Sequence, residues 1–271
     1  LSCVCGDFVR IREAPQEGDV PRVIAVNPRR TLFARTDSRG RTEPLAANLS
    51  LLAVILAPEP PPDPYIADRY LAGAAYAEIA SLVVVNKCDL PSARDEKFVS
   101  LVEEFRAAGY DLVEVSAHNP ATIEPLRLRL RDHVAMLVGQ SGVGKTSLTN
   151  QLVPEAGRAT RSLSRATREG RHTTVSTALF RIPSGGELID SPGVRDYAPP
   201  LLEDARVQLG WPEITKLSPA CRFHNCLHLR EPGCAVTAAV ENGTFAPRRY
   251  ESYKRLLNIM RGLAPEYERR R

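Results

Sequence analysis

The chain has 271 residues, 43% of them hydrophobic, and a net charge of +4. This length is enough for two or three folded units, and this apolar content excludes a chain that is mainly disordered. The sequence contains no run near the roughly 20 consecutive apolar residues of a membrane helix and no secretory signal pattern, so we expect a cytoplasmic protein that does not associate with membranes.

Residues 1–48 predict a small β-barrel. Three segments rich in β-branched and aromatic residues, at 8–11, 23–26 and 31–34, are separated by glycine and proline. A five-stranded oligonucleotide-binding (OB) barrel normally needs more chain than this. We therefore expect a partial OB-like β-barrel, with one or two strands missing at the start.

Residues 49–197 have the pattern of an α/β domain. Continuous apolar runs at residues 51–56 and 82–85 are typical of parallel strands covered on both faces, and residues 66–79 between them predict a helix. The other elements expected in this domain are helices at 96–107, 124–131 and 147–153 and strands at 113–115, 134–138, 173–182 and 187–189.

A guanine-binding motif follows the second apolar run. In Asn86-Lys87-Cys88-Asp89, the Asp89 carboxylate can accept hydrogen bonds from guanine N1 and N2 while Asn86 braces the loop. Adenine lacks that pair of donors, so the motif selects guanine nucleotides. Directly after the strand at 113–115, Ser116-Ala117 occupies the position of a second loop on the base side. These residues, including Lys87, are predicted to bind GTP.

Residues 139–146 match the phosphate-binding pattern G-x-x-x-x-G-K-[ST], between a predicted strand and a predicted helix. Glycines let successive backbone N–H groups turn toward the phosphates, Lys145 can reach the β- and γ-phosphate oxygens, and the Thr146 hydroxyl can bind Mg²⁺. The predicted phosphate-binding residues of this P-loop and its continuation are Gly139, Gln140, Ser141, Gly142, Val143, Gly144, Lys145, Thr146 and Ser147.

Two further segments have the features of GTPase switch loops. Asp190-Ser191-Pro192-Gly193 fits the D-x-x-G element, in which Asp190 holds Mg²⁺ through water and the Gly193 N–H contacts the γ-phosphate. An arginine-rich segment before it ends at Thr174. Thr173 or Thr174 is expected to contact Mg²⁺ and the γ-phosphate, and we favour Thr174.

Val194 occupies the position where many GTPases carry the glutamine that orients the attacking water. We therefore expect slow intrinsic hydrolysis. His172 is the candidate to orient or deprotonate the water, and a purely structural role for it in the switch segment is an equal alternative. The predicted catalytic residues are His172, Thr174 and Lys145, and the predicted Mg²⁺ ligands are Thr146, Thr174 and Asp190.

The order of these motifs is unusual. Asn86 precedes Gly139, whereas in ordinary GTPases the guanine motif follows the phosphate motifs. A parallel sheet keeps the same site if the old termini are joined and the chain is reopened after the D-x-x-G strand. The sequence therefore predicts a circularly permuted P-loop GTPase domain.

Residues 198–271 predict an α-helical domain with a metal site. Its candidate ligands, within 14 positions of one another, are Cys221, Cys226, His228 and Cys234. Three thiolates and one imidazole suit a tetrahedral Zn²⁺, and His224 is a rival nitrogen ligand. Because four protein ligands leave no position for substrate, we expect one structural zinc ion that stabilises the fold.

Together these motifs resemble one family over nearly the whole chain, the small ribosomal subunit biogenesis GTPases called RsgA or YjeQ. Further segments that carry the resemblance are Gly6-Asp7-Phe8-Val9, Pro28-Arg29-Arg30-Thr31, Ala46-Ala47-Asn48 and Asp68-Arg69-Tyr70-Leu71. It implies three domains, at 1–48, 49–197 and 198–271. It also implies a GTP hydrolase of low activity, stimulated by the small (30S) ribosomal subunit during late maturation, whose flanking domains bind rRNA. We expect a monomer.

Two other interpretations stay open at this point. One is a P-loop ATPase or kinase in which Asn86 and Asp89 match the guanine motif by coincidence. The other is a zinc-stabilised RNA-binding protein that uses nucleotide only as a ligand. Nucleotide preference tests the first interpretation, and stimulation of GTP turnover by small subunits tests the second.

Overall fold

The computed structural model describes residues 2–13, 20–37, 39–156, 177–190 and 197–263. Within these ranges, no helix is long and apolar enough to cross a membrane. The β-strands there are β1 (Val9–Arg12), β2 (Arg22–Val26), β3 (Leu32–Thr36), β4 (Thr42–Ala47), β5 (Leu51–Leu56), β6 (Ala80–Val85), β7 (Asp111–Glu114), β8 (Val134–Gly139), β9 (Ala178–Arg181) and β10 (Glu187–Asp190).

The α-helices of the same ranges are α1 (Pro64–Tyr76), α2 (Glu96–Ala107), α3 (Glu124–Leu130), α4 (Lys145–Leu152), α5 (Asp204–Val207), α6 (Pro212–Leu217), α7 (Ala235–Glu241) and α8 (Pro247–Leu263). Short 3₁₀ helices lie at Pro91–Arg94, Pro120–Thr122, Gln208–Gly210 and Ser218–Ala220. The helices predicted after residue 198 are therefore confirmed in the described residues.

Six strands form the central sheet in the order β7-β6-β5-β8-β10-β9, and every neighbouring pair is parallel except β10 and β9. All side chains of β5 are buried, as expected for a strand covered on both faces. Helices α1 and α2 pack on one face and α3 and α4 on the other. The carboxyl ends of the parallel strands share one edge, so the loops that carry the predicted motifs meet there.

The N-terminal region forms two antiparallel ribbons, β1–β2 and β3–β4. The sequence predicted three strands here and missed β4. Glu43 and Pro44 interrupt the β-rich pattern of this strand, and Pro44 pairs with Ala34 where a bulge shifts the register. The described strands pair as ribbons, and the OB barrel stays a prediction.

Local residues set the ends of α1. The Asp63 side chain accepts a hydrogen bond from the Tyr65 N–H at 3.0 Å, and Pro64 takes a first-turn position where no N–H is needed. At the other end, Glu78 has a φ of 55°, in the left-handed region that stops a helix. The helix predicted at 66–79 therefore begins and ends earlier than expected.

The segment after the D-x-x-G element connects the N-terminal region to α1. Tyr197 stacks between Phe33 and Tyr70, with ring centroids 5.0 and 4.7 Å apart. The Thr36 N–H donates to the carbonyl oxygen of Ala198 at 2.8 Å. This segment thus lies between β3 and α1 before the chain enters the C-terminal helices.

The C-terminal helices also pack against α1. Their core is built around Trp211 and Tyr253 and includes Ala72 of α1. The Tyr76 hydroxyl donates to the carbonyl oxygen of Val207 at 2.6 Å. Helix α1 is therefore shared between the nucleotide-binding sheet and the C-terminal region.

Candidate functional site

The P-loop connects β8 to α4 at the carboxyl edge of the sheet. Gly144 has a φ of 95°, and a Cβ there would lie 2.3 Å from Asn86 Nδ2, so the position requires glycine. Lys145 begins α4, two residues before the predicted start, and its ammonium donates to the carbonyl oxygens of Gly139 and Gln140, both at 2.7 Å. Loop N–H groups and a helix N-terminus together favour a bound phosphate.

The remaining residues predicted for this loop differ in exposure. Val143 is buried beneath the loop. The exposed residues at this edge are Ser141, Gly142, Thr146 and Ser147.

Asn86 joins three of the loops that the sequence assigned to the nucleotide. Its side chain is buried, Nδ2 donates to the Val143 carbonyl oxygen at 2.8 Å, and Oδ1 accepts from the Ala117 N–H at 3.1 Å. Both polar atoms of the carboxamide are therefore satisfied, as a buried side chain requires. The guanine motif, the P-loop and the second base-side loop meet around this one residue.

A cavity of about 250 Å³ lies between these loops. Its lining consists of Asn86, Lys87, Asp89, Leu90, Ser116, Ala117, His118, Gly144 and Ser147. A hydrogen bond from Ser116 holds the pKa of the Asp89 carboxyl below its usual value. Asp89 is thus ionised at neutral pH and can accept two hydrogen bonds from guanine.

Asp190 is the last residue of β10, which pairs with β8 ahead of the P-loop. Burial raises the pKa of its carboxyl, and the Lys145 ammonium acts in the opposite direction. A half-buried carboxylate beside a phosphate loop suits a divalent cation, whose positive charge would stabilise the ionised carboxylate. The predicted switch residues His172, Thr173, Thr174 and Gly193 lie outside the described residues.

The four predicted metal ligands form one cluster, with their donor atoms within 4.8 Å of one another. His228 Nδ1 lies 3.5 Å from Cys221 Sγ and 3.4 Å from Cys234 Sγ, and the two sulfurs are 3.9 Å apart. Tetrahedral Zn²⁺ with ordinary bond lengths separates its ligands by about 3.5–3.8 Å, so this donor set fits the ion. His224, the rival ligand, is exposed and does not belong to the cluster.

Two residues that support this cluster were missed by the sequence analysis. Gln208 Oε1 lies 2.6 Å from His228 Nε2, which leaves Nδ1 to face the sulfurs. Glu231 accepts hydrogen bonds from backbone N–H groups, including those of Leu227 and Leu229. Burial raises the pKa of the Glu231 carboxyl, but these hydrogen bonds outweigh that effect and lower the pKa to about 2. In the sequence, the Pro232-Gly233 turn was the one local feature near Glu231 that could have indicated a supporting role. No local feature indicated such a role for Gln208.

Comparison with known proteins agrees with this geometry. A family model described as RsgA GTPase matches residues 26–199. Proteins named small ribosomal subunit biogenesis GTPase RsgA are similar to the chain: that of Azotobacter vinelandii is 41% identical over 97% of this chain and 76% of its own length. The Pseudomonas aeruginosa protein is 42% identical over 95% of this chain and 76% of its own length.

Two crystal structures share the fold. YjeQ from Thermotoga maritima superposes with a TM-score of 0.75 at 28% identity, covering 96% of this chain and 85% of its own. YloQ, described as a circularly permuted GTPase, has a TM-score of 0.73 at 24% identity and covers 98% and 84%. The permuted order predicted from the motifs is thus the order of a known fold.

Proposed function

The chain belongs to the RsgA GTPase family, and we propose that it hydrolyses GTP to GDP and phosphate during late maturation of the small (30S) ribosomal subunit. The observation that carries the proposal is the position of Asn86, which bonds to both the P-loop and the second base-side loop. Family membership favours this interpretation over a P-loop ATPase or kinase.

Recognition of the base would depend on the loops around Asp89. Its ionised carboxylate would accept from guanine N1 and N2, with Asn86, Lys87, Ser116 and Ala117 forming the walls. Adenine presents no matching donors, so the Asp89 carboxylate would lose these hydrogen bonds with ATP.

Phosphate chemistry would take place at the P-loop. Lys145 would exchange its two carbonyl partners for β- and γ-phosphate oxygens, and loop N–H groups would hold the β-phosphate as it leaves. The Thr146 hydroxyl and Asp190 would hold Mg²⁺, with Thr174 as the third predicted ligand. When bound, Mg²⁺ would neutralise charge that develops on the phosphates.

Slow intrinsic hydrolysis follows from Val194 at the position of the usual glutamine. We propose that the small subunit stimulates turnover, with His172 as the candidate to orient water. Replacing His172 by Ala should lower turnover more than nucleotide affinity. Unchanged turnover would remove this residue from the mechanism.

The flanking regions are proposed to bind rRNA. Residues 1–45 contain eight Lys or Arg against six acidic residues, and residues 198–271 contain twelve against eight. Such basic ends favour contact with a polyanion. One structural Zn²⁺ at the Cys221 cluster would hold the C-terminal region in the shape that binds. Domain limits at 48 and 198, a monomeric state and a cytoplasmic location stay predictions.

GTP turnover with and without purified small ribosomal subunits tests the proposed function, with ATP as the competing substrate. We expect a low basal rate with GTP that the subunits raise at least about tenfold, and little binding of ATP. Equal use of ATP would contradict the guanine assignment. Absence of stimulation would leave a nucleotide-binding protein without the proposed role.

A further inference from the structure

Residues 58–63, which we call the proline strap, run from the end of β5 to the start of α1 with the sequence Pro58-Glu59-Pro60-Pro61-Pro62-Asp63. Proline has no backbone N–H, so Glu59 and Asp63 are the two strap residues with a donor. The strap therefore has too few backbone N–H groups to pair with a β-strand. Its carbonyl oxygens are free to accept hydrogen bonds from side chains of other loops.

Two nucleotide-site residues supply those donors. Gln140 Nε2 donates to the Pro61 carbonyl oxygen at 3.2 Å, and Gln140 Oε1 accepts from the Asp63 N–H at 2.8 Å. Lys87 Nζ donates to the Glu59 carbonyl oxygen at 2.7 Å and to the Gly142 carbonyl oxygen at 2.9 Å. The strap is thus tied to the P-loop at both of its ends.

The P-loop itself needs an external restraint. Gly139, Gly142 and Gly144 all have positive φ, and glycine leaves the backbone the most freedom to leave this conformation. The strap lies close enough that a Cβ on Gly142 would come within 3.1 Å of Pro60 Cδ. Rigid prolines on the outside can therefore hold the glycines of the loop in place.

We propose that Gln140 is a positioning residue for GTP hydrolysis. Its carboxamide forms two hydrogen bonds with the proline strap, to Pro61 and Asp63, which we call the clasp. The clasp fixes the P-loop backbone in the conformation that receives the phosphates. A loop whose N–H groups are already oriented stabilises the charge that develops on the β-phosphate without reorganising. That benefit is largest in the transition state, so losing the clasp lowers kcat more than it weakens nucleotide binding.

The inference rests on the proposed phosphate-binding role of the loop, and its test has one arm that requires no turnover. Gln140→Met keeps the length of the side chain and removes both hydrogen-bonding groups. Gln140→Glu keeps an acceptor for the Asp63 N–H and loses the donor to Pro61. Ser92→Ala is the matched control, because Ser92 bonds to the Glu59 carboxylate of the strap and to no P-loop residue.

Amide hydrogen exchange at Asp63 reports the clasp directly. In Gln140→Met this exchange should accelerate about tenfold, the amount expected for one or two neutral hydrogen bonds, and Gln140→Glu should restore most of the protection. Single-turnover hydrolysis should slow about tenfold in Gln140→Met while GDP affinity changes less than about threefold. Gln140→Glu is compared by exchange alone, because its added carboxylate would repel the phosphates during hydrolysis. Ser92→Ala should match the parent protein in both measurements.

Three results would overturn the inference. Unchanged Asp63 exchange in Gln140→Met would show that the clasp does not form in solution. Faster exchange at Asp63 with an unchanged hydrolysis rate would show that Gln140 holds the strap but does not position the P-loop for hydrolysis. A parallel fall of rate, GDP affinity and melting temperature would mark a general structural residue. If the parent protein itself failed to hydrolyse GTP, the proposed function would fail while the exchange result still stood.

Discussion

Arg249 and Asp68 form an ion pair between α8 and α1 that is almost fully buried, with 2.6 Å between Nη1 and Oδ1 and each side chain 1% exposed. Arg248 and Ser252 also donate to the Asp68 carboxylate, and Glu213 accepts two hydrogen bonds from Arg249. The C-terminal helices are thereby fixed to the helix that follows the proline strap.

Replacing Asp68 by Asn should lower the free energy of unfolding by about 3–5 kcal/mol, because buried guanidinium groups lose a counter-ion. Urea unfolding measures the change. The control is Asp111→Asn, which removes the partner of Arg129 in an exposed pair and should cost less than about 1 kcal/mol. Similar losses for the two variants would contradict a structural role for the buried pair.

Replacing Asp89 by Asn should shift base preference from guanine to xanthine, since the carboxamide donates where the carboxylate accepted. We expect GDP affinity to fall at least about 100-fold and xanthosine diphosphate to bind in its place. Competition between the labelled nucleotides measures this. Because Ser116 keeps the pKa of Asp89 below its usual value, guanine preference should persist from pH 8 to pH 5. A preference lost above pH 5 would argue against Asp89 as the acceptor.

Replacing Asp190 by Asn should abolish Mg²⁺-dependent turnover without lowering the melting temperature of the nucleotide-free protein. Burial raises the pKa of Asp190, so the folded state disfavours the ionised carboxyl, and stability falls as pH rises through the raised pKa. The variant should therefore melt at the same or a higher temperature than the parent at pH 7.5. The difference should shrink as pH falls through the raised pKa toward the ordinary carboxyl value. A difference that grows over that range would be inconsistent with this sign.

Gln208 should control metal affinity although it is not a ligand. Gln208→Leu removes the carbonyl oxygen that holds His228 Nε2 and should weaken Zn²⁺ binding 10- to 100-fold, as measured by competition with a chelator. Cys226→Ser should lose the metal and lower the melting temperature. His224→Ala is the control and should bind Zn²⁺ as the parent does. Loss of metal from that control alone would assign the site to His224 instead.

Much of the candidate nucleotide site could be predicted from the sequence, because its residues form short motifs that follow strands. Asn86 and Asp89 lie in the loop after β6, Lys145 begins the helix after β8, and parallel strands bring their carboxyl ends to one edge. The four candidate metal ligands were also predicted, because they fall within 14 positions of one another, and they lie together in the structure. Strand β4 was not predicted, because Pro44 interrupts its β-rich pattern, whereas in the structure Pro44 pairs with Ala34 beside a bulge.

The sequence by itself thus determined the nucleotide motifs, their permuted order and the candidate metal ligands, because each depends on residue types at fixed local spacing. Only the tertiary structure decided that Gln140 holds Asp63, that Gln208 holds His228 and that Arg249 meets Asp68, at separations of 77, 20 and 181 positions. No local pattern records such pairs. They exist because helices and loops from distant parts of the chain pack together, and a buried polar group must then find its partner among whatever lies beside it.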